Sequence, residues 1–126
     1  MDHHPGFLKL VAEAKKNVRE CSIEDVRAGR ERGDPFLLVD VREDEEFARS
    51  RIPGAEHIGR GVLERDVEAK IPDKETEIVL YCGGGYRSAL AAESLQKMGY
   101  RNVRSMEGGF RGWSKAGLPV DDGRAG

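Results

Sequence analysis

Cysteine is scarce in this chain, and its two copies, Cys21 and Cys82, lie far apart in 126 residues with no C-x-x-C spacing. That excludes a zinc ribbon or a disulfide-stapled scaffold, and a bridge between the two is not expected. No apolar run approaches the roughly 20 residues that cross a bilayer. The first residues lack the basic-then-apolar order of a secretion signal. No membrane partner is therefore expected, and the expected compartment is the cytoplasm, where thiols stay reduced. An excess of one charge is missing as well. Twenty-one basic residues against 23 acidic ones leave a net charge of −2, without the basic footprint of a nucleic-acid binder. Histidine is rare, and His3 and His4 read as inert terminal residues rather than a metal tract, so no metal site is expected. Internal repeats and an interdomain linker are absent. What remains, 38% hydrophobic and 35% charged, is the composition of one soluble domain large enough to bury a core.

The stretch that organises the chain is EIVLYCGGGYRSALAAESLQKMG, residues 77–99. Residues 77–81 are β-favouring and mostly apolar, the pattern of a buried strand. Residues 88–98 form helix, with Ala91, Leu95 and Met98 on one face and Gly99 at the C-terminal cap. Between them stand Cys82, three glycines, Tyr86 and Arg87. A cysteine there leaves the end of a strand and faces the first turn of a helix, where unpaired N–H groups and the macrodipole favour an anion. Gly83, Gly84 and Gly85 place no Cβ in the way and allow the amides to turn inward as a nest. The first anion such a nest meets is the sulfur itself, and helix N-termini favour the nucleophilic thiolate form of a cysteine. Arg87 adds a positive charge. The triplet is neither G-x-G-x-x-G nor a loop followed by G-K-[ST], so nucleotide binding is a weak reading. A lone cysteine is more often a small buried hydrophobe, but cysteine, glycine loop and arginine in one turn favour a thiolate or anion site.

In chain order, residues 1–6 read as frayed and residues 7–18 as an amphipathic helix with Phe7, Leu8, Val11, Ala14 and Val18 on one face. Ser22 and Asp25 make a capping box for a short helix ending near Ala28. Residues 29–35 read as a loop. Residues 36–41, FLLVDV, are the clearest central strand of a parallel sheet covered on both faces, with Asp40 and Arg42 where it would leave the core. Residues 43–48 suit a short helix anchored in the core by Phe47. Residues 56–58 suit a brief strand, and His57 there reads as a surface or core histidine before it reads as a base for Cys82. Residues 62–70 suggest a helix, 102–106 a strand, 110–116 a short helix carrying the core aromatics Phe110 and Trp113, and 121–126 a tail. Strands alternating with helices make an α/β fold with a small, mostly parallel sheet. Ligands of such sheets sit at the carboxyl ends of the strands, where Cys82 lies and where Asp40 and Arg42 face the same rim.

Three segments, LVDVREDEEFARSRIPGAEHI (38–58), YCGGGYRSALAA (81–92) and EGGFRGWSKAGLPV (107–120), resemble single-domain rhodaneses in content and order. The resemblance covers about residues 22–120 and leaves the first helix outside. It implies a rhodanese-like domain over 21–120, an N-terminal helical extension over 1–20 and a tail over 121–126. It implies sulfane-sulfur transfer, in which Cys82 is the nucleophile and persulfide carrier, Gly83, Gly84, Gly85, Tyr86, Arg87 and Ser88 bind the outer sulfur, and Asp40 and Arg42 support the site. Donor and acceptor would be small molecules such as thiosulfate and cyanide or a thiol, or a protein partner, with no cofactor or metal. Four residues between Cys82 and Arg87 match the shorter loop of the sulfurtransferases, against one more in the related phosphatases. Ser50-Arg51 departs from the Gly-His usual before Ile-Pro-Gly-Ala, a change expected to alter local packing only. The competing expectations are a sulfur-carrier module for a protein partner and a phosphatase or arsenate reductase using the same anion loop.

Overall fold

The computed structural model describes residues 3–122; the outer parts of the frayed terminus and of the tail, residues 1–2 and 123–126, lie outside the described residues. The elements run in order as helix α1 (Pro5–Lys15), strand β1 (Arg19–Cys21), α2 (Ile23–Arg32), β2 (Leu37–Asp40), α3 (Asp44–Arg49), β3 (Ser50–Arg51), β4 (Glu56–His57), a 3-10 turn (Arg60–Val62), α4 (Leu63–Lys70), β5 (Glu77–Tyr81), α5 (Tyr86–Lys97), β6 (Asn102–Met106), α6 (Gly109–Lys115) and β7 (Asp121–Asp122). Five strands form one sheet in the order β1-β6-β5-β2-β4, every pair parallel. The central strands align Val39 with Leu80 and Leu80 with Ser105.

Strand periodicity sorts the core onto two faces. Ile78, Leu80 and Cys82 point to the side covered by α4 and α5, where they meet Val39, Leu63, Val67, Ala91 and Leu95. Val79 and Tyr81 point to the other side, with Leu38, Val26, Met106 and Trp113 beneath α2 and α6. This alternation aims Cys82 at α5, the helix that begins four residues later. The expected α/β fold, a mostly parallel sheet with helices on both faces, is the fold observed.

Several boundaries differ from the sequence expectation. Helix α1 starts at Pro5, whose fixed φ suits the first helical turn, and stops at Lys15 rather than Val18. Of its expected apolar face Val11 and Ala14 are buried, while Leu8 is 41% exposed. Residues 29–32, read as loop, continue α2 until Gly33 caps it at φ 77°. Gly29 is tolerated inside the helix because Phe36 packs on it; a Cβ there would lie 3.0 Å from the ring. Strand β1 was not expected, nor was the antiparallel pair of β3 with β7, which draws the start of the tail onto Ser50 and Arg51. Phe47 is no core anchor: α3 buries no residue, and the ring is half-buried, stacked on His57 at 4.5 Å. Asp40 and Arg42 do not leave the core; both are buried.

Candidate active site

Cys82 closes the floor of a cleft of about 610 Å³ and is 1% exposed. Its Sγ accepts hydrogen bonds from the backbone N–H of Gly85 (3.1 Å) and of Ser88 (3.3 Å). Its S–H is placed to donate to Ser88 Oγ at 3.5 Å, and that hydroxyl lies 2.8 Å from Ser105 Oγ on β6. The sulfur thus sits among the first N–H groups of α5, donors with no partner inside the helix.

The three glycines serve different ends. Only Gly85 has a positive φ, 97°, which makes it the left-handed entry to α5. A Cβ on Gly84 would collide with the guanidinium of Arg111, and one on Gly83 would lie 3.2 Å from Arg111 Nη1. The glycines therefore let an arginine from α6 lie over the loop. The same helix pins the loop from behind: Phe110 N–H donates to Cys82 O at 2.7 Å and Arg111 N–H to Gly83 O at 3.0 Å. With no cis peptide among the described residues, the N–H groups of Gly83 and Gly84 point opposite to those carbonyls, away from α6.

The close approach of α6 depends on Gly109. Its φ is 57°, and a Cβ there would lie 2.5 Å from Cys82 O and 2.7 Å from Gly83 C. Gly117 also has a positive φ, 76°, but nothing lies within 4 Å of its Cβ direction. Gly117→Ala is expected to cost only the conformational penalty, about 1 kcal/mol. Gly109→Ala adds a backbone collision, is expected to cost more than about 2 kcal/mol, and displaces the Cys82 loop. Urea unfolding of both variants separates the two effects; equal costs would mean that α6 does not need its close seat.

Arg87 points into the cleft but is not free. Glu46 of α3 holds its guanidinium in a fork, 3.0 Å from Nη1 and 3.3 Å from Nη2, the bidentate geometry of strong ion pairs. The hydrogen bond from Arg87 holds the Glu46 carboxyl below its ordinary range, and Glu46 in return holds Arg87 above its own. Tyr86 flanks the cleft, where its ring meets Phe7 and His3 at centroid distances of 6.0 and 5.0 Å. His3, read as inert, thus stands in the cleft wall.

The structure brings Cys82, Gly84, Tyr86 and Arg87 to one cleft, with Ser88 and Gly85 bonded to the sulfur. It does not bring Asp40 or Arg42 there: they pair with each other, Arg42 Nη2 to Asp40 Oδ2 at 2.8 Å. His57 is held elsewhere, its Nε2 2.9 Å from Arg42 O. Sequence reasoning missed Arg111, Glu46, Ser105 and the N-terminal residues of the cleft. Arg111 had one usable signal, its place in the first turn of a helix that follows a Glu-Gly-Gly turn. The other three are joined to the site across 17 or more residues of sequence and left no local mark. Cys21, the second thiol, is free and buried, and burial pushes it up to about 11, which leaves it protonated and unreactive.

Residues 13–116 match the family described as Rhodanese-like domain. Thiosulfate sulfurtransferase GlpE of Haemophilus influenzae (strain ATCC 51907 / DSM 11121 / KW20 / Rd) is 38% identical over 86 residues, 68% of this chain and 79% of that protein. The "Putative sulfur carrier protein YrkF" of Bacillus subtilis (strain 168) is 31% identical over 103 residues; the match covers 82% of this chain but only 55% of that relative's length. Among solved structures, a protein of unknown function from Rhodopseudomonas palustris CGA009, described as a possible tyrosine phosphatase, superimposes with a TM-score of 0.85 at 31% identity, covering 96% of this chain and 98% of its own. A family match over most of the length, carried on a five-stranded parallel sheet whose central strand delivers Cys82 to a helix N-terminus, makes this chain a member of the rhodanese-like family.

Proposed function

We propose that this protein is a sulfurtransferase that carries sulfane sulfur as a persulfide on Cys82. The observation that carries the reading is the sulfur at the cleft floor accepting backbone N–H bonds from Gly85 and Ser88. The Cys82 thiolate attacks the terminal sulfur of thiosulfate; a new S–S bond forms, the old one breaks, and sulfite leaves with the electron pair. The charge then rests on the outer sulfur, where loop amides fixed by α6 stabilise it without reorganising. A nucleophile such as cyanide takes that sulfur as thiocyanate and regenerates the thiolate, a ping-pong cycle. Gly83, Gly84, Gly85 and Ser88 supply the cradle, Tyr86 and Arg87 its rim, and Asp40 and Arg42 support it from behind. In this reading residues 21–120 are the catalytic domain, residues 1–20 an N-terminal extension whose end, from Arg19, joins the sheet as β1, and residues 121–126 a tail. Two free cysteines suit a reducing cytoplasm.

Phosphoester hydrolysis, suggested by the description of the Rhodopseudomonas protein, needs a general acid for the leaving group. Glu46 is the one carboxylic acid among the described residues lining the cleft. It is held ionised by Arg87, and an ionised carboxylate accepts protons but has none to give. The test is intact mass after incubation with thiosulfate. The expected result is one added sulfur on Cys82 that cyanide removes. No added sulfur, together with turnover of an aryl phosphate, would replace this reading with the phosphatase.

A further inference from the structure

The cleft above Cys82 is far roomier than thiosulfate requires. Its volume, about 610 Å³, falls in the range of roughly 300–1,000 Å³ typical of pockets for organic ligands. One wall is aromatic, and two of its three rings, Phe7 and His3, come from outside the matched family segment, which begins at residue 13. Phe7 of α1 packs edge-on to Tyr86 at 6.0 Å, and His3 closes the corner at 5.1 Å from Phe7 and 5.0 Å from Tyr86. The wall is firmly placed, because α1 buries Val11 and Ala14 against the domain. Beyond it, Asn17 Nδ2 donates to Glu93 of α5 at 3.2 Å.

The same cleft carries a cation. Arg111 lies over Gly83 and Gly84 and lines the same cleft as Cys82. Among the described residues no carboxylate pairs with its guanidinium, whereas Arg87 is neutralised by Glu46. An aromatic wall, an unpaired guanidinium and a nucleophile in one cleft match a molecule with three parts: an apolar body, an anionic group and a terminal sulfur narrow enough to reach an almost fully enclosed Sγ.

Resting on the sulfurtransferase reading, we propose that Phe7 is a specificity residue of the cleft and Arg111 its anion-binding residue, so that the cleft favours an organic sulfane-sulfur anion with an apolar body over inorganic thiosulfate. Arg111 binds the anionic group, and the Phe7–Tyr86 wall packs the body. Benzenethiosulfonate represents the class. The Cys82 thiolate attacks its terminal sulfur, the Cys82 S–S bond forms, the bond to the sulfonyl sulfur breaks, and benzenesulfinate leaves with the electron pair, so one negative charge remains on the persulfide and one on the sulfinate.

The test compares kcat/KM for benzenethiosulfonate and for thiosulfate, with cyanide as acceptor, in the wild type and three variants. The wild type is expected to prefer benzenethiosulfonate by at least about tenfold, and Phe7→Ala to lower that preference about tenfold. Phe7→Leu, which keeps apolar bulk on α1, should fall between them. Arg111→Gln is expected to raise KM for both anions by about tenfold through loss of a charge-assisted bond. A preference for thiosulfate in the wild type, or one that Phe7→Ala leaves unaltered while transfer proceeds, overturns the proposal without touching the persulfide chemistry. If neither donor transfers sulfur, the sulfurtransferase reading fails. Binding of benzenesulfinate to Cys82→Ser, followed by NMR, then decides the cleft: saturable shifts at Phe7 that Arg111→Gln abolishes uphold its selectivity, and their absence overturns it.

Discussion

Cys82→Ala is expected to lower thiosulfate-to-cyanide turnover at least about a thousandfold, the scale seen when a covalent nucleophile is removed, and to take up no sulfur. Nothing else in the cleft can take its place. Cys21 is buried and held protonated, and the Ser88 hydroxyl is engaged with Ser105. The fold should survive. Alanine leaves a small void in a core cluster that Leu80, Ala91 and Ala92 otherwise fill, and it strands the N–H groups of Gly85 and Ser88 that now point at the sulfur. Together these should cost about 1–2 kcal/mol. Cys82→Ser retains an acceptor for both N–H groups and should be the more stable of the two while equally inactive, because a hydroxyl in this site has no adjacent base. The check is parallel measurement of turnover and urea unfolding. Retained transfer in a purified Cys82→Ala protein would remove Cys82 from the mechanism.

That this residue stood out in the sequence has a physical reason. The alternation from Ile78 to Cys82 and the glycine run before a helix are both local, and local patterns fix which way a strand-end side chain points. The capping box at Ser22 was legible for the same reason, and both of its bonds are present. What could not be read depends on register between distant segments. Strand β1 is three residues, Arg-Glu-Cys, without a β-favouring run; it is a strand because Arg19 to Cys21 align with Arg104 to Met106 of β6. The end of α2 was misjudged because Gly33 and Pro35 break a charged run, but the break falls only at Gly33, and Gly29 stays in the helix with the Phe36 ring and the Asp34 carboxylate lying against it. Arg87 carried its charge in plain sight, yet its partner Glu46 lies 41 residues away, so the sequence overstated how much positive charge Arg87 offers a ligand. Arg111, whose guanidinium no carboxylate among the described residues pairs, drew no reading from the sequence at all.

Asp40 and Arg42 show how a charge pair that looked like a rim feature supports the interior. Asp40 is 0% exposed and Arg42 4%. Asp40 Oδ1 accepts from the Arg42 backbone N–H (2.9 Å) and Nε (3.0 Å), and Oδ2 accepts from Nη2 at 2.8 Å. Arg42 Nη2 also donates to Ser50 O at 2.6 Å, and the guanidinium lies 4.3 Å from the Phe110 ring. Burial works against the Arg42 charge, but the bonds and charge of Asp40 outweigh it and hold the group above its ordinary range. Asp40→Ala is therefore expected to destabilise by about 3–5 kcal/mol, because it leaves a buried guanidinium without its counter-ion. In a domain whose total stability is about 5–15 kcal/mol, that is the largest effect of any single substitution proposed for this chain. Arg42→Met leaves Asp40 buried and unpaired and should cost a similar amount. The double variant Asp40→Ala/Arg42→Met removes both charges and should cost well below the sum, since a buried pair gives little net stability over an apolar replacement. Additive costs in a urea double-mutant cycle would show that the two residues act separately. The pair also reaches the site indirectly: Arg42 packs on Phe110, and the N–H of Phe110 holds the carbonyl of Cys82. Asp40→Ala should accordingly slow sulfur uptake at temperatures where it is still folded, whereas the double variant, relieved of its stranded charge, should recover part of that rate.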